Sequence, residues 1–220
     1  MTSDLMTLAD LPTSMLRPLT MSEVLAIIGA KRGAIARMIN SGFIPKSALA
    51  RSKKNMSKRT ATLFKPVVCP MAYFDLTTGP LLSTKMRLRM IREIGSIVRG
   101  RSANQPFEEG VLRIDLPKSI ADTASKMADL AAAEANVVFD PEVRGGMPVL
   151  RGTRVGVYEV ADLCNQEPVA NILANFPSLS ASHLKQARLY ASAHPLNHHQ
   201  GSLYFSNSTK FEKHSSKNRR

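Results

Sequence analysis

Residues 137–155 constrain the fold more than any other part of the chain. Two short apolar runs, Val137-Val138-Phe139 and Val149-Leu150, are separated by Gly145-Gly146. Adjacent glycines permit positive φ, or a close backbone approach that a Cβ would block. Pro148 fixes φ at the start of the second run, and Gly152 makes a second tight turn before Thr153 and Arg154. Arg151 and Arg154 flank that turn, where their planar guanidinium forks suit phosphate or carboxylate. Three short helices are expected next. The first spans about 157–165. Pro168 suits the first turn of the second, which places Val169, Ile172 and Leu173 inward. Ser180 caps the third, with Leu184, Ala187, Tyr190 and Ala191 as packing residues. Such a pattern points to a binding module.

The N-terminal part reads as another helix-turn-helix. Thr20-Met21-Ser22-Glu23 is a capping box, after which Val24, Ile27 and Ile28 fall at helical spacing. Gly29-Ala30 breaks that helix. A second follows over about 31–41, with Ile35, Met38 and Ile39 on its apolar side and Gly42 as its stop. Charge here is one-sided: no acidic residue lies between Val24 and Phe74. That span carries Lys31, Arg32 and Arg37 on the second helix, then Arg51, Lys53, Lys54, Lys58 and Arg59 in a basic loop. Such cations suit the phosphate backbone, which supplies affinity and orientation more than sequence choice. A solvated basic face is the other reading.

Between these parts the pattern is mixed. Thr62 to Phe74 holds apolar pieces, Leu63-Phe64, Val67-Val68 and Ala72-Tyr73-Phe74, that read as a strand or two at a sheet edge, because Pro66 and Pro70 cannot donate to a ladder. Ser83 precedes a basic amphipathic helix over 84–98, with Leu88, Ile91, Ile94 and Val98 toward the core. A loop is expected over 99–110 and a strand over 111–116. Pro117 then starts an Ala-rich helix to about residue 135, with Ile120, Ala124, Met127, Leu130 and Ala131 on one face. That face serves either the chain's own core or a dimer contact.

The expected fold class is mainly α with short β strands. Two helix-turn-helix-type, winged-helix-like domains are joined by a mixed linker. The divisions are a flexible lead-in at 1–18, an N-terminal domain at 19–110, a strand and connecting helix at 111–136, a C-terminal domain at 137–195, and a disordered basic tail at 196–220.

Composition narrows the functional classes. With 30 Lys and Arg against 17 Asp and Glu, the formal charge of +13 implies an anionic partner. The two cysteines, Cys69 and Cys164, lack metal-ligand spacing and suit a reducing cytoplasm. No apolar run approaches the ~18 residues of a membrane span, and no secretion signal is recognisable. His194, His198 and His199 have no Cys, Asp or Glu at a fitting spacing, so neither a metal nor a cofactor is expected. Nucleophile signatures and phosphate-cradling glycine loops are absent, and no enzyme activity is expected.

Two resemblances sharpen this. The set Asp140-Pro141-Glu142, Gly145-Gly146-x-Pro148, Gly152-Thr153-Arg154-Val155-x-Val157 and Ile172-Leu173-x-x-Phe176-Pro177-x-Leu179 resembles a bacterial domain of unknown function found in VapB-like antitoxins. Residues 19–45 are similar to the first helices of MerR-type DNA-binding domains. The first resemblance implies an antitoxin that neutralises a PIN-type ribonuclease toxin and represses its own operon, as a homodimer on operator DNA. A PIN active site gathers acidic residues around a divalent metal, so an inserted Arg is the implied blocking residue: Arg144, Arg151 or Arg154 on the motif that also holds Thr153, or Arg219 or Arg220 on the tail. The second resemblance implies that the second helix enters the major groove. A stand-alone transcriptional regulator without a toxin is the alternative. The residues after Pro195 depart from the Gly-Arg-Pro basic stretch with which such relatives tend to end.

Overall fold

The computed structural model describes residues 16–51 and 62–196. The tail and the stretch holding Lys53, Lys54, Lys58 and Arg59 lie outside the described residues. Two units divide between Glu134 and Ala135. The chain is mainly helical, with short antiparallel strand pairs. Among the described residues, no helix is long and apolar enough to cross a membrane.

The capping box sets the start of the N-terminal unit. Helix α1 spans Met21–Ile28. The Glu23 N–H donates to Thr20 Oγ1 at 3.3 Å, and the Thr20 N–H donates to Glu23 Oε2 at 2.6 Å. Glu23 is only 1% exposed, and its other oxygen accepts from Arg17, which also reaches Glu134 at 3.2 Å. Helix α2, Arg32–Asn40, follows after Gly29 and buries Ile35 and Met38. Strands β1, Leu49–Arg51, and β2, Thr62–Phe64, pair antiparallel with Leu49 opposite Phe64. Leu19 bridges the far side of β2, exchanging two backbone bonds with Phe64 at 2.8 Å.

Residues 68–77 correct the sequence expectation. Leu63-Phe64 falls in β2, but Val67-Val68 and Ala72-Tyr73-Phe74 form no strand. Val68–Thr77 is helix α3, in which Pro70 sits in the first turn, where no N–H is required. The helix buries Val68, Met71, Ala72 and Phe74 around most of its circumference. Because it is apolar nearly all round, it shows no helical period in sequence. Helix α4, Thr84–Val98, is capped by Ser83, whose Oγ accepts from the Met86 N–H at 3.3 Å. Ile91 and Ile94 are buried as expected, joined by Met90 and Gly95, while Leu88 and Val98 are half-buried. Helices α3 and α4 pack closely here, and a Cβ on Gly95 would lie 2.7 Å from Met71 Cε and displace that side-chain end.

A second correction falls on the expected loop. Residues 107–109 form strand β3, which pairs with β4, Leu112–Ile114, across a Gly110-Val111 turn. Helix α5, Leu116–Ala135, begins one residue before Pro117 and buries Ile120, Ala124, Met127, Leu130 and Ala131.

In the C-terminal unit, β5, Val137–Phe139, pairs antiparallel with β6, Pro148–Leu150. Helices α6, Val157–Gln166, α7, Val169–Asn175, and α8, Ala181–Ala193, complete it, and α6 packs on α8. Tyr158 donates its hydroxyl to the His194 carbonyl at 2.6 Å. Ile172, Leu184, Ala187 and Tyr190 are buried. Val169, expected inward, is 48% exposed because it opens the short α7, and Ala193 takes the buried place that Ala191 only half fills.

Burial pushes the Glu23 carboxyl up, but the bonds from Arg17 and Thr20 outweigh it and hold the group below its ordinary value. A depressed carboxyl adds stability above its unfolded pKa and loses it as pH falls through its folded one. Glu23→Gln should therefore cost about 3 kcal/mol at neutral pH. The gap from the parent should close as pH drops below the ordinary 4.5. Amide exchange of α1 in the full chain reads this directly; a gap that is constant with pH would contradict it.

Candidate functional site

Two surfaces carry the sequence-predicted residues. The first is on α2. Lys31 is its N-cap residue, Arg32 its first residue, and Arg37 lies near its end. All three are exposed, and none makes an ion pair among the described residues. Cations at a helix N-terminus work against the macrodipole, at a cost of roughly 0.3–1 kcal/mol each. Helix α2 also begins without a side-chain cap. The helix is thus poorly started by its own sequence, and an external anion would complement that end. Lys46 and Lys65, beside β1 and β2, are exposed as well. Arg51 ends β1, and the basic loop after it lies outside the described residues.

Sequence reasoning missed the cluster beside this helix. Asp75 is 4% exposed, and its two oxygens accept from Arg87 Nε and Nη2, each at 2.8 Å. The same guanidinium lies 4.2 Å from the ring centre of Phe43, which follows α2. Asp75 is the first carboxylate after Glu23, which was the one signal available.

The second surface is the glycine motif. Arg144, Gly145 and Gly146 all have positive φ, at 51°, 67° and 81°, so the connection between β5 and β6 turns through left-handed backbone. Arg144 adopts it without being glycine, at a cost of about 1 kcal/mol. It is held there by a fork pair to Glu159 on α6, with Nη2 to Oε1 at 2.5 Å. Arg151 donates from Nη2 and Nε to the Ala135 carbonyl at 2.8 and 3.2 Å. Thr153 Oγ1 donates to the Leu150 carbonyl at 2.9 Å and accepts from the Val155 N–H at 3.1 Å. Three of the four motif residues therefore bond within their own unit. Arg154 is exposed and has no ion pair among the described residues. It lines two clefts, of about 530 and 570 Å³. Arg151 and Thr153 share the first, and Arg144 the second.

Residues 137–191 match the family described as "Protein of unknown function (DUF433)". All four motif residues lie inside that domain. The N-terminal unit lies outside it. The chain is 33% identical over 138 residues to the uncharacterized protein y4eO of Sinorhizobium fredii, an alignment covering 58% of this chain and 62% of that relative. The chain thus spans less than two thirds of that relative's length. No solved structure matches.

Neither thiol is poised for chemistry. Burial pushes Cys69 far above the ordinary thiol value and raises Cys164 as well. His194 packs its ring 4.6 Å from that of Tyr190, while His198 and His199 lie outside the described residues.

The two arginines should separate in a stability measurement. Arg144→Ala should cost the C-terminal unit about 2 kcal/mol, and Arg144→Gly about 1 kcal/mol less, because glycine accepts the positive φ. Arg154→Ala should leave stability within about 0.5 kcal/mol. Amide exchange across β5, β6 and α6 tests the contrast, which equal losses at the two positions would remove.

Proposed function

We propose that this chain is a DNA-binding regulator of the antitoxin type and is not an enzyme. In this reading, α2 and the basic loop between β1 and β2 contact operator DNA upstream of the chain's own gene. The observation that carries it is the trio Lys31, Arg32 and Arg37: exposed, without ion pairs among the described residues, on the second helix of a helix–turn–helix followed by a β ribbon. That order resembles the MerR arrangement, in which the second helix enters the major groove and the ribbon loop follows phosphates. Lys53, Lys54, Lys58 and Arg59 would act from that loop, with Arg51 at its base.

The C-terminal unit is proposed to hold the protein partner, a PIN-type ribonuclease toxin, as the VapB-like resemblance implies. Arg154, exposed and without an ion pair among the described residues, would meet an acidic active site by a bidentate carboxylate pair. Arg144, Arg151 and Thr153 then support the loop that presents it. A homodimer in the cytoplasm is part of the same reading. A regulator without a toxin is the second reading, and the inward bonding of those three residues favours it.

The upstream DNA fragment should bind at least about 10³-fold tighter than a scrambled duplex of equal length. A triple Lys31→Ala, Arg32→Ala, Arg37→Ala variant should flatten the slope of log K against log salt by about 3. Equal affinity for both duplexes would reduce the interaction to charge alone. Co-expression with the adjacent small open reading frame tests the partner. Rescued growth and a complex weakened by Arg154→Ala are expected; neither toxicity nor a complex would leave the toxin-free regulator.

A further inference from the structure

We propose that a cleft beside α2 binds a small organic carboxylate with an apolar body, held by Arg37. The cleft has a volume of about 320 Å³ and is formed by α2, the residues just after it, α3 and the start of α4. That size lies at the lower end of the roughly 300–1,000 Å³ range typical of small-molecule sites. Its walls are mostly apolar, with Met38, Phe43, Leu76 and Pro80 among them.

Three charged side chains line it, and two cancel. Both Asp75 oxygens are occupied by Arg87, whose guanidinium also covers Phe43. Neither group is left to attract a ligand of its own sign preference. Arg37 is different: it is exposed and without an ion pair among the described residues. Its Nη1 lies 4.0 Å from where a Cβ on Gly33 would stand, so the guanidinium lies beside Gly33, one turn back along its own helix. A single cation at the edge of an apolar cleft selects a ligand with one anionic end and an apolar remainder. A planar guanidinium matches a carboxylate with two parallel hydrogen bonds.

Arg37 also belongs to the proposed DNA surface. A carboxylate bound there would withdraw one phosphate contact, and by linkage DNA would weaken the ligand equally. This coupling, unlike the site itself, rests on the DNA-binding reading.

The test is an amide-shift NMR titration of the full chain, at constant ionic strength, with benzoate and 3-phenylpropionate. Benzyl alcohol and benzylamine serve as neutral and cationic counterparts. Both carboxylates should bind in about the millimolar range. Shifts should centre on α2, Phe43 and the α3–α4 junction. Benzyl alcohol should be at least about tenfold weaker, and Arg37→Gln should lose about tenfold for benzoate. Because Arg37 is exposed, the variant's own spectrum verifies its fold. No shift at tens of millimolar benzoate would overturn the site, as would benzyl alcohol binding equally or Arg37→Gln binding like the parent. In a separate arm, benzoate should weaken binding of the upstream duplex. Benzoate binding with unchanged DNA affinity would overturn the coupling alone. A protein that binds no DNA would overturn the DNA reading and the coupling, leaving the site to the titration.

Discussion

One buried carboxylate organises the N-terminal unit. Asp75 sits on a helix that is otherwise apolar, and losing its partner would cost about 3–5 kcal/mol. Helix α4 must therefore present Arg87 within hydrogen-bond reach. The Ser83 cap fixes where α4 begins, so Arg87 falls one turn inside it and meets both carboxylate oxygens. Glycine at position 79 leaves the space, since a Cβ there would come within 2.8 Å of Asp75 Oδ1. The outer face of Arg87 covers Phe43 and so fixes the residue that follows α2. A single charge thus sets the spacing of α2, α3 and α4.

Ion pairing also sorts the chain's cations. Arg17, Arg87, Arg89, Arg113, Lys118 and Arg144 each face a carboxylate. With 30 basic residues against 17 acidic ones, one-to-one pairing would still leave 13 cations without a carboxylate. On α2 the exclusion covers the whole trio. Local sequence enforces it, because no acidic residue lies anywhere between Val24 and Phe74. The surface charge around α2 therefore follows from composition, whereas the pairing of Arg87 follows from the fold.

The same distinction decides what was legible in the sequence. Thr20, Glu23 and Ser180 act on residues three positions away, and their caps were readable from spacing alone; Ser83, expected only to precede α4, caps it in the same way. So were α5 and its buried face, where one apolar side gives a clear period. Helix α3 was not readable, because burial on nearly every side erases the period that separates helix from strand. The hairpin of β3 and β4 was half hidden for another reason. Glu108 and Glu109 have no apolar alternation, and their strand is held by its backbone pairing to β4, a partner outside its own sequence. Partners 12 or 15 residues away, as for Asp75 with Arg87 and Arg144 with Glu159, leave no local trace.

That limit bears on what the C-terminal likeness conveys. The residues that make the motif recognisable are those that fold its turns. Gly145, Gly146 and Gly152 supply positive φ, Thr153 closes the second turn, and Arg144 and Arg151 tie the ribbon to α6 and to the end of α5. A pattern composed of such residues transmits a shape. It transmits a partner only through side chains that the shape does not use, and among the four singled out that leaves Arg154. In the proposed reading, the chemistry that chooses a partner lies at Arg154 and along the clefts it lines.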